Sequence, residues 1–301
     1  MSDPAVRTSA LVKSFGRIRA LDGVDLEADR GRIFGIVGPD GAGKTTLVRI
    51  LAAVLSPDSG EASVLGLDPV RDRSAVHDRI GYVSQRFGLY HDLTVEENIR
   101  FYADLYGVSR RRLGEEMERL LAWSGLGPFR RRSAGALSGG MKQKLGLACA
   151  LVHTPELMLL DEPTNGVDPV ARREFWQLLE RLVEGGLSVI VTTSYLEEAG
   201  RCHRLAFLSR GRVTAAGTPE QVTRMVPGEV LRFPSPNPFE ECDEVAARTG
   251  AVATVSGSRV HVMGGIPTDG IEAALGRPVE ASLSPASLED AFVYLAEKGD
   301  A

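Results

Sequence analysis

The run Gly38-Pro39-Asp40-Gly41-Ala42-Gly43-Lys44-Thr45-Thr46 decides the reading of this chain. It fits the spacing G-x-x-x-x-G-K-[ST] and stands between the β-branched run Arg32–Val37 and the apolar stretch Leu47–Leu55. A strand that ends in such a loop and opens into a helix turns several backbone N–H groups toward one point, and the positive helix end adds to their pull on an anion. Lys44 then reaches the terminal phosphates of a nucleotide, and the Thr45 hydroxyl is placed to ligate magnesium. A chance glycine-rich turn would have neither the Lys-Thr pair nor the strand and helix on its two sides. Asp40 is an unusual neighbour for phosphates. At roughly 8 Å and an effective dielectric of ~20 each like-charge pair costs about 2 kcal/mol before screening, which magnesium, Lys44 and the helix end outweigh.

Farther along, Asp161-Glu162 closes the apolar run Leu157-Met158-Leu159-Leu160. Alone, such a pair is as readily a solvated strand end. Beside a phosphate loop, the Asp can hold magnesium and the Glu can orient or deprotonate an attacking water.

Around these motifs, from Val6 to about Thr218, short β-rich runs alternate with amphipathic stretches, the pattern of parallel strands covered by helices. Core strands are expected at Arg32–Val37, Leu157–Asp161 and Ser188–Thr193. Between about 86 and 150 the strand signal gives way to helical spacing, as in "VEENIRFYADLYG" and "RRLGEEMERLLAWSGLG", so this block reads as a helical subdomain. "RLAFLSRGRVTAAG" reads as a hairpin turning at Arg210-Gly211. A proline-rich shift at about 225–240 precedes a second unit. It is expected to hold strand Glu229–Phe233, helix Pro238–Thr249 capped by Asn237, strands Val252–Val255 and Arg259–Val262, helix Asp269–Leu275, strand Val279–Leu283 and a helix after Ser287. The order βαββαβα is that of a small ferredoxin-like α+β domain. The expected division is an α/β nucleotide-binding domain over 1–218 and a C-terminal domain over 219–301.

A formal net charge of −5 argues against a nucleic-acid partner, and Arg110–Arg112 and Arg130–Arg132 read as solvated helix faces. No apolar run approaches a bilayer span, and the first residues lack a leader pattern, so the expectation is a soluble, cytoplasmic protein. Cys149, Cys202 and Cys242 have no metal-ligand spacing, which fits a reducing compartment.

The segment "ALSGGMKQKLGLACAL" just upstream of "LMLLDEPTNGVDP" resembles the ATP-binding subunits of ABC transporters, and the resemblance covers residues 6–218. It implies a P-loop NTPase fold, ATP and Mg2+ as cofactors, and ATP hydrolysis. Ser138, Gly139 and Gly140 match the signature motif, Gln85 in "GYVSQ" the Q-loop, and Asp168 the D-loop. Phe15 in "KSFG" takes the aromatic position that stacks on adenine, with an ordinary packed phenylalanine as the alternative. Thr45, Gln85 and Asp161 would hold the magnesium, and Glu162 would be the catalytic base. Ser138 precedes a helix and is itself an anion-binding N-terminus. In the family it faces the phosphate loop of a second subunit, so two ATP molecules are sandwiched in a head-to-tail dimer.

"IGYVSQRFGLYHDLTVEENI", the "LSGGMKQKL" form and the tail "SLEDAFVYLAE" are similar to the exporter branch with ABC-2-type membrane partners, the branch of drug-efflux ATPases. "GPDGAGKTT" with "TSYLEEA" is similar to the first half of exporter ATPases that fuse two such domains. The implied partners are an ABC-2-type permease, met by the helical block and especially Arg86–Asp92, and a second ABC ATPase subunit at the cytoplasmic face of the membrane. The family usually has a histidine where this chain has Ser194, at the end of the strand Ser188–Thr193. Serine is neutral, shorter and a weaker donor to the γ-phosphate, so this chain's own site is expected to be slow. Its signature is intact and can complete a partner's site, which favours a heterodimer over a homodimer. His203 lies nine residues on, in an expected helix, and reads as a surface or packed histidine. The competing functions are a non-transport ABC ATPase, which would carry a charged linker or long coiled coils, and a regulatory module that holds ATP without turnover. The cargo is not legible.

Overall fold

The computed structural model describes residues 3–85 and 88–298. Strand β3 (Ile33–Val37) is buried along its whole length, as are β6 (Leu157–Asp161) and β7 (Ser188–Thr193). Strands apolar on both faces belong in the middle of a sheet covered on both sides. They form a six-stranded sheet with β5 (Ile80–Val83), β8 (Arg204–Ser209) and β9 (Arg212–Gly217), in the order β5-β6-β7-β3-β8-β9. The first five run parallel, and β9 turns back antiparallel through the Arg210-Gly211 hairpin. Both turn residues have positive φ, 47° and 78°, as a tight two-residue hairpin requires.

A second sheet was not anticipated from the sequence. β1 (Val6–Phe15), β2 (Ile18–Ala28) and β4 (Ser59–Val64) pair antiparallel in the order β2-β1-β4. Parallel strands are therefore not the rule throughout Val6–Thr218. β2 alternates buried and exposed residues along its second half, the pattern of a sheet with one wet face, and β1 is interrupted at Ala10 (φ 45°) by a bulge that hides the alternation.

Helix α1 (Lys44–Leu51) lies between the two sheets, with Leu47, Val48, Ile50 and Leu51 fully buried. The short α2 (Arg73–Arg79) follows β4. The helical block consists of α3 (Val95–Leu105), α4 (Arg110–Ser124) and α5 (Gly139–Leu151), which pack with α6 (Pro169–Glu184) over one face of the main sheet. Thr94 and Glu97 close a reciprocal capping box at the start of α3. Arg110–Arg112 open α4 and are exposed, as expected. Arg130–Arg132 sit in a turn rather than on a helix face, where Arg130 pairs with Glu96 and Glu118, both at 2.6 Å.

After α7 (Leu196–Ala199), β9 and α8 (Pro219–Thr223) comes β10 (Val230–Pro234), then α9 (Pro238–Thr249), β11 (Val252–Ser256), β12 (Arg259–Met263), α10 (Thr268–Leu275), β13 (Ser282–Ser284) and α11 (Leu288–Lys298). The strands are antiparallel in the order β11-β12-β10-β13, the arrangement of a ferredoxin-like sheet. Helices α9 and α10 cover one face, and α11 fills the space between the other face and the main sheet, where Phe292 meets Phe207 edge to face at 5.1 Å. Two expectations need correction. The strand expected at Val279–Leu283 starts only at Ser282, because Ala281 N–H bonds back to the Val279 carbonyl in a tight turn. Asn237 stands at the N-cap of α9, but its side chain makes no capping bond.

Candidate functional site

Strand β3 delivers the phosphate loop to α1 through Gly43, the N-cap, at φ 107°. A side chain there is excluded twice over: that φ is open to glycine, and a Cβ would stand 2.4 Å from the Ala20 carbonyl. Lys44 is buried, and its ammonium donates to the Gly38 and Pro39 carbonyls at 2.8 and 3.0 Å. It also pairs with Glu162 at 2.9 Å. Asp40 is 93% exposed and 3.9 Å from the same ammonium, so its charge is mostly in solvent.

From β6, Asp161 and Glu162 arrive at the same place. Thr45 and Thr192 both donate to Asp161 Oδ1, at 3.0 and 2.9 Å, while Asp161 Oδ2 is buried with no hydrogen-bond partner among the described residues. Burial raises the pKa of this carboxyl above the usual carboxylate range, and the hydroxyls of Thr192 and Thr45 only partly offset it. Glu162 is held in the left-handed region at φ 49°, a conformation that costs a non-glycine residue energy and survives where neighbours over-determine it. Its N–H donates to Thr192 Oγ1 at 2.8 Å, and its Oε2 accepts from Gln85 Nε2 at 3.0 Å and Asn165 Nδ2 at 3.3 Å.

Lys44, Thr45, Thr46, Asp40, Gly41, Gly43, Gln85 and Glu162, with Ala20, line one open cavity of about 290 Å³. Phe15 is 51% exposed at the end of β1, with Lys13 Nζ 5.7 Å from its ring centre. Ser194 is exposed just past β7. His203 is not helical. It lies in the turn before β8 and its Nδ1 accepts from Ile33 N–H at 3.1 Å, at the opposite end of β3 from the phosphate loop, so it cannot stand in for Ser194. The signature residues lie apart from the cavity. Ser138 caps α5, accepting from Met141 N–H at 3.3 Å, and Gly140 packs so tightly on α6 that a Cβ would be 2.4 Å from Ala171 Cβ. Asp168 caps α6, accepting from Val170 and Ala171 N–H at 3.1 and 3.0 Å. Arg86 and Phe87, part of the expected permease contact, lie outside the described residues.

Among known proteins, residues 21–165 match the family model for ABC transporters. The daunorubicin/doxorubicin resistance ATP-binding protein DrrA of Streptomyces peucetius is 41% identical over 230 residues, covering 76% of this chain and 70% of that protein. The chain belongs to the ABC transporter ATP-binding family. The Nod factor export ATP-binding protein I of a Rhizobium species is 36% identical over 299 residues, covering 98% of both chains. The probable multidrug ABC transporter ATP-binding protein YbhF of Escherichia coli is 46% identical over 239 residues, and this chain spans 41% of its length. A solved ATP-binding subunit of an ABC transporter superposes with a TM-score of 0.66 at 28% identity, covering 73% of this chain and 92% of that one. A dimeric ATP-binding cassette bound to ADP and phosphate superposes with a TM-score of 0.64 at 28% identity, covering 71% and 98%. The fold is that of an ABC ATPase, a family of ATP-binding domains.

Sequence reasoning missed Thr192, which joins Asp161 to the Glu162 backbone, and Thr164, Thr193 and Glu198, which form a buried cluster behind them. The three consecutive hydroxyl residues Thr192-Thr193-Ser194 were a legible signal. The two threonines are the ones engaged in these bonds.

Proposed function

We propose that the chain binds and hydrolyses ATP to drive export through a separate ABC-2-type membrane subunit, and that its own site turns over slowly because position 194 is serine. The observation that carries this reading is the convergence of Lys44, Gln85 and Glu162 on one cavity, with Asp161 bonded to Thr45 of its lining and an exposed Ser194 at the end of the neighbouring strand. Glu162 is the base for the attacking water: Gln85 and Asn165 orient its carboxylate from one side and Lys44 from the other. Arrival of ATP lets the Lys44 ammonium exchange Glu162 for a phosphate oxygen, which frees the carboxylate for the water. The donor set fits magnesium, since a buried Asp161 oxygen has no partner among the described residues and lies beside Thr45. Thr45, Asp161 and Gln85 would hold the ion, whose chemistry there is neutralisation of phosphate charge. Phe15 has the exposure that stacking on adenine needs.

Ser194 can offer one hydroxyl, while a histidine would reach farther and donate more strongly. Losing one preorganised contact of that kind costs on the order of 10²–10³ in rate. The signature at Ser138–Gly140 lies outside the chain's own cavity, which supports a composite site completed by a second ATPase subunit, with a histidine-bearing partner favoured. On the helical block, Tyr90, Phe101 and Leu105 are exposed, and the Tyr90 and Phe101 rings meet at a tilt with centres 4.5 Å apart, an apolar surface suited to a membrane subunit. The test is the ATP turnover of the purified chain with Glu162→Gln as control. Slow turnover, abolished in the control, is expected; rates of an ordinary transporter ATPase, abolished in the same control, would refute the slow-site reading.

A further inference from the structure

Behind the reacting groups is a second buried acid. Glu198 on α7 is 2% exposed, and its two oxygens accept from Thr164 Oγ1 and Thr193 Oγ1, each at 2.6 Å. Thr164 belongs to the segment that follows Glu162, whereas Thr193 ends β7 one residue before Ser194. Arg172, on α6, adds a third tie: its guanidinium is 3.5 Å from Glu198 Oε1, lies 4.0 Å over the Tyr195 ring and donates to the Val167 carbonyl at 3.4 Å. The Tyr195 N–H in turn donates to Thr193 Oγ1 at 3.0 Å.

Burying a carboxylate is costly unless both oxygens are satisfied, and apolar packing would fill the same space without that cost. Here each oxygen is committed to a different loop, and the two loops are those that flank Glu162. The strained Glu162 backbone is also held by this segment, through Asn165 N–H to the Glu162 carbonyl at 3.2 Å and Val167 N–H to the Thr164 carbonyl at 3.1 Å.

We infer that Glu198 is a positioning residue for ATP turnover, a clamp that locks segment 164–168 to the end of β7 and so fixes the spacing between Glu162 and position 194. The inference rests on the reading that this site hydrolyses ATP, but the clamp itself exists without nucleotide and is tested separately. In the full chain, hydrogen exchange without nucleotide is compared for wild type, Glu198→Gln, Thr164→Val and Thr164→Ser. Glu198→Gln and Thr164→Val are each expected to speed exchange about tenfold in both segments, 163–168 and 193–198, while Thr164→Ser, which keeps the hydroxyl, behaves as wild type. With ATP, the same two variants are expected to slow single-turnover hydrolysis about tenfold with the Kd for ATP within about twofold of wild type, and the double variant to be no slower than Glu198→Gln alone. Exchange that rises only in the substituted segment, or wild-type turnover from loosened loops, overturns the clamp. A wild-type chain that fails to bind ATP refutes the functional reading instead, and the exchange result still decides the clamp.

Discussion

Asp161, at the end of β6, and Asp290, in the first turn of α11, are both fully buried, yet their surroundings differ. Asp290 is saturated. Its Oδ1 meets His261 Nδ1 at 2.8 Å, and its Oδ2 accepts from Arg232 at 2.7 Å and from the Ser287 N–H and hydroxyl at 2.8 and 2.7 Å. Burial alone would raise its pKa, but the bonds from Ser287, His261 and Arg232 outweigh it and the pKa is lowered. Asp161 has two hydroxyl donors on one oxygen and, among the described residues, none on the other, and its pKa is raised. A saturated buried acid contributes to the fold; an unsaturated one beside a phosphate loop is kept at a cost in stability for what it binds.

The largest effect should come from the unsaturated acid. Asp161→Asn is expected to lower ATP turnover about 10²–10³-fold without lowering the thermal midpoint of the nucleotide-free chain, because it removes a desolvated charge. A variant that melts well below wild type would make Asp161 another structural acid and remove the contrast. The saturated acid should behave in reverse. Asp290→Ala strands the Arg232 guanidinium at the sheet and is expected to cost about 3 kcal/mol, read from denaturant midpoints, while ATP affinity stays within about twofold. Equal stability would mean the His261–Asp290–Arg232 cluster does not hold α11 in place.

Acidity separates the two more gently. The folded pKa of Asp290 lies below its unfolded value, so its stabilisation is present above the unfolded pKa, about pH 4, and is lost as pH falls through the folded value. Asp161 has the opposite sign: its folded pKa lies above the unfolded one, so its ionisation costs stability above that range and acidification relieves the cost. Midpoints measured down through the carboxylate range should therefore fall less steeply for Asp290→Ala than for wild type, and more steeply for Asp161→Asn. Parallel curves for all three would contradict the assignment. The smallest effect is expected at Asp40, whose exposed carboxylate is 3.9 Å from Lys44. Asp40→Asn should change the affinity for ATP by about threefold or less in equilibrium titration, and a tenfold change would show that its charge is less screened than its exposure implies.

The parts legible in the sequence are those where one residue type has one physical use. Gly43, Lys44 and Thr45 could be read because a glycine at positive φ, a buried cation and a hydroxyl at a helix start leave few alternatives. The ferredoxin-like order at the C-terminal end was legible from the alternation of short strands and capped helices, although β13 is shorter than its apolar pattern because a tight turn takes up Val279–Ala281. The sheet β2-β1-β4 was hidden by the bulge at Ala10, which breaks the period of two. The Glu198 cluster was hidden for another reason: Thr164, Arg172, Thr193 and Glu198 lie on separate elements, and only the fold makes them neighbours. Ser194 drew attention as a departure from a pattern, whereas Thr192 and Thr193 beside it make the observed bonds.

On the proposed reading, every part of the hydrolytic site that this chain itself supplies is in place except at position 194. The most direct test is single-turnover ATP hydrolysis by the purified chain with Ser194→His. A rise of about tenfold or more, with unchanged affinity for ATP and loss of the gain on adding Glu162→Gln, is the predicted result. No gain in a folded, ATP-binding Ser194→His chain would contradict the account and move the cause of slow turnover elsewhere in the site.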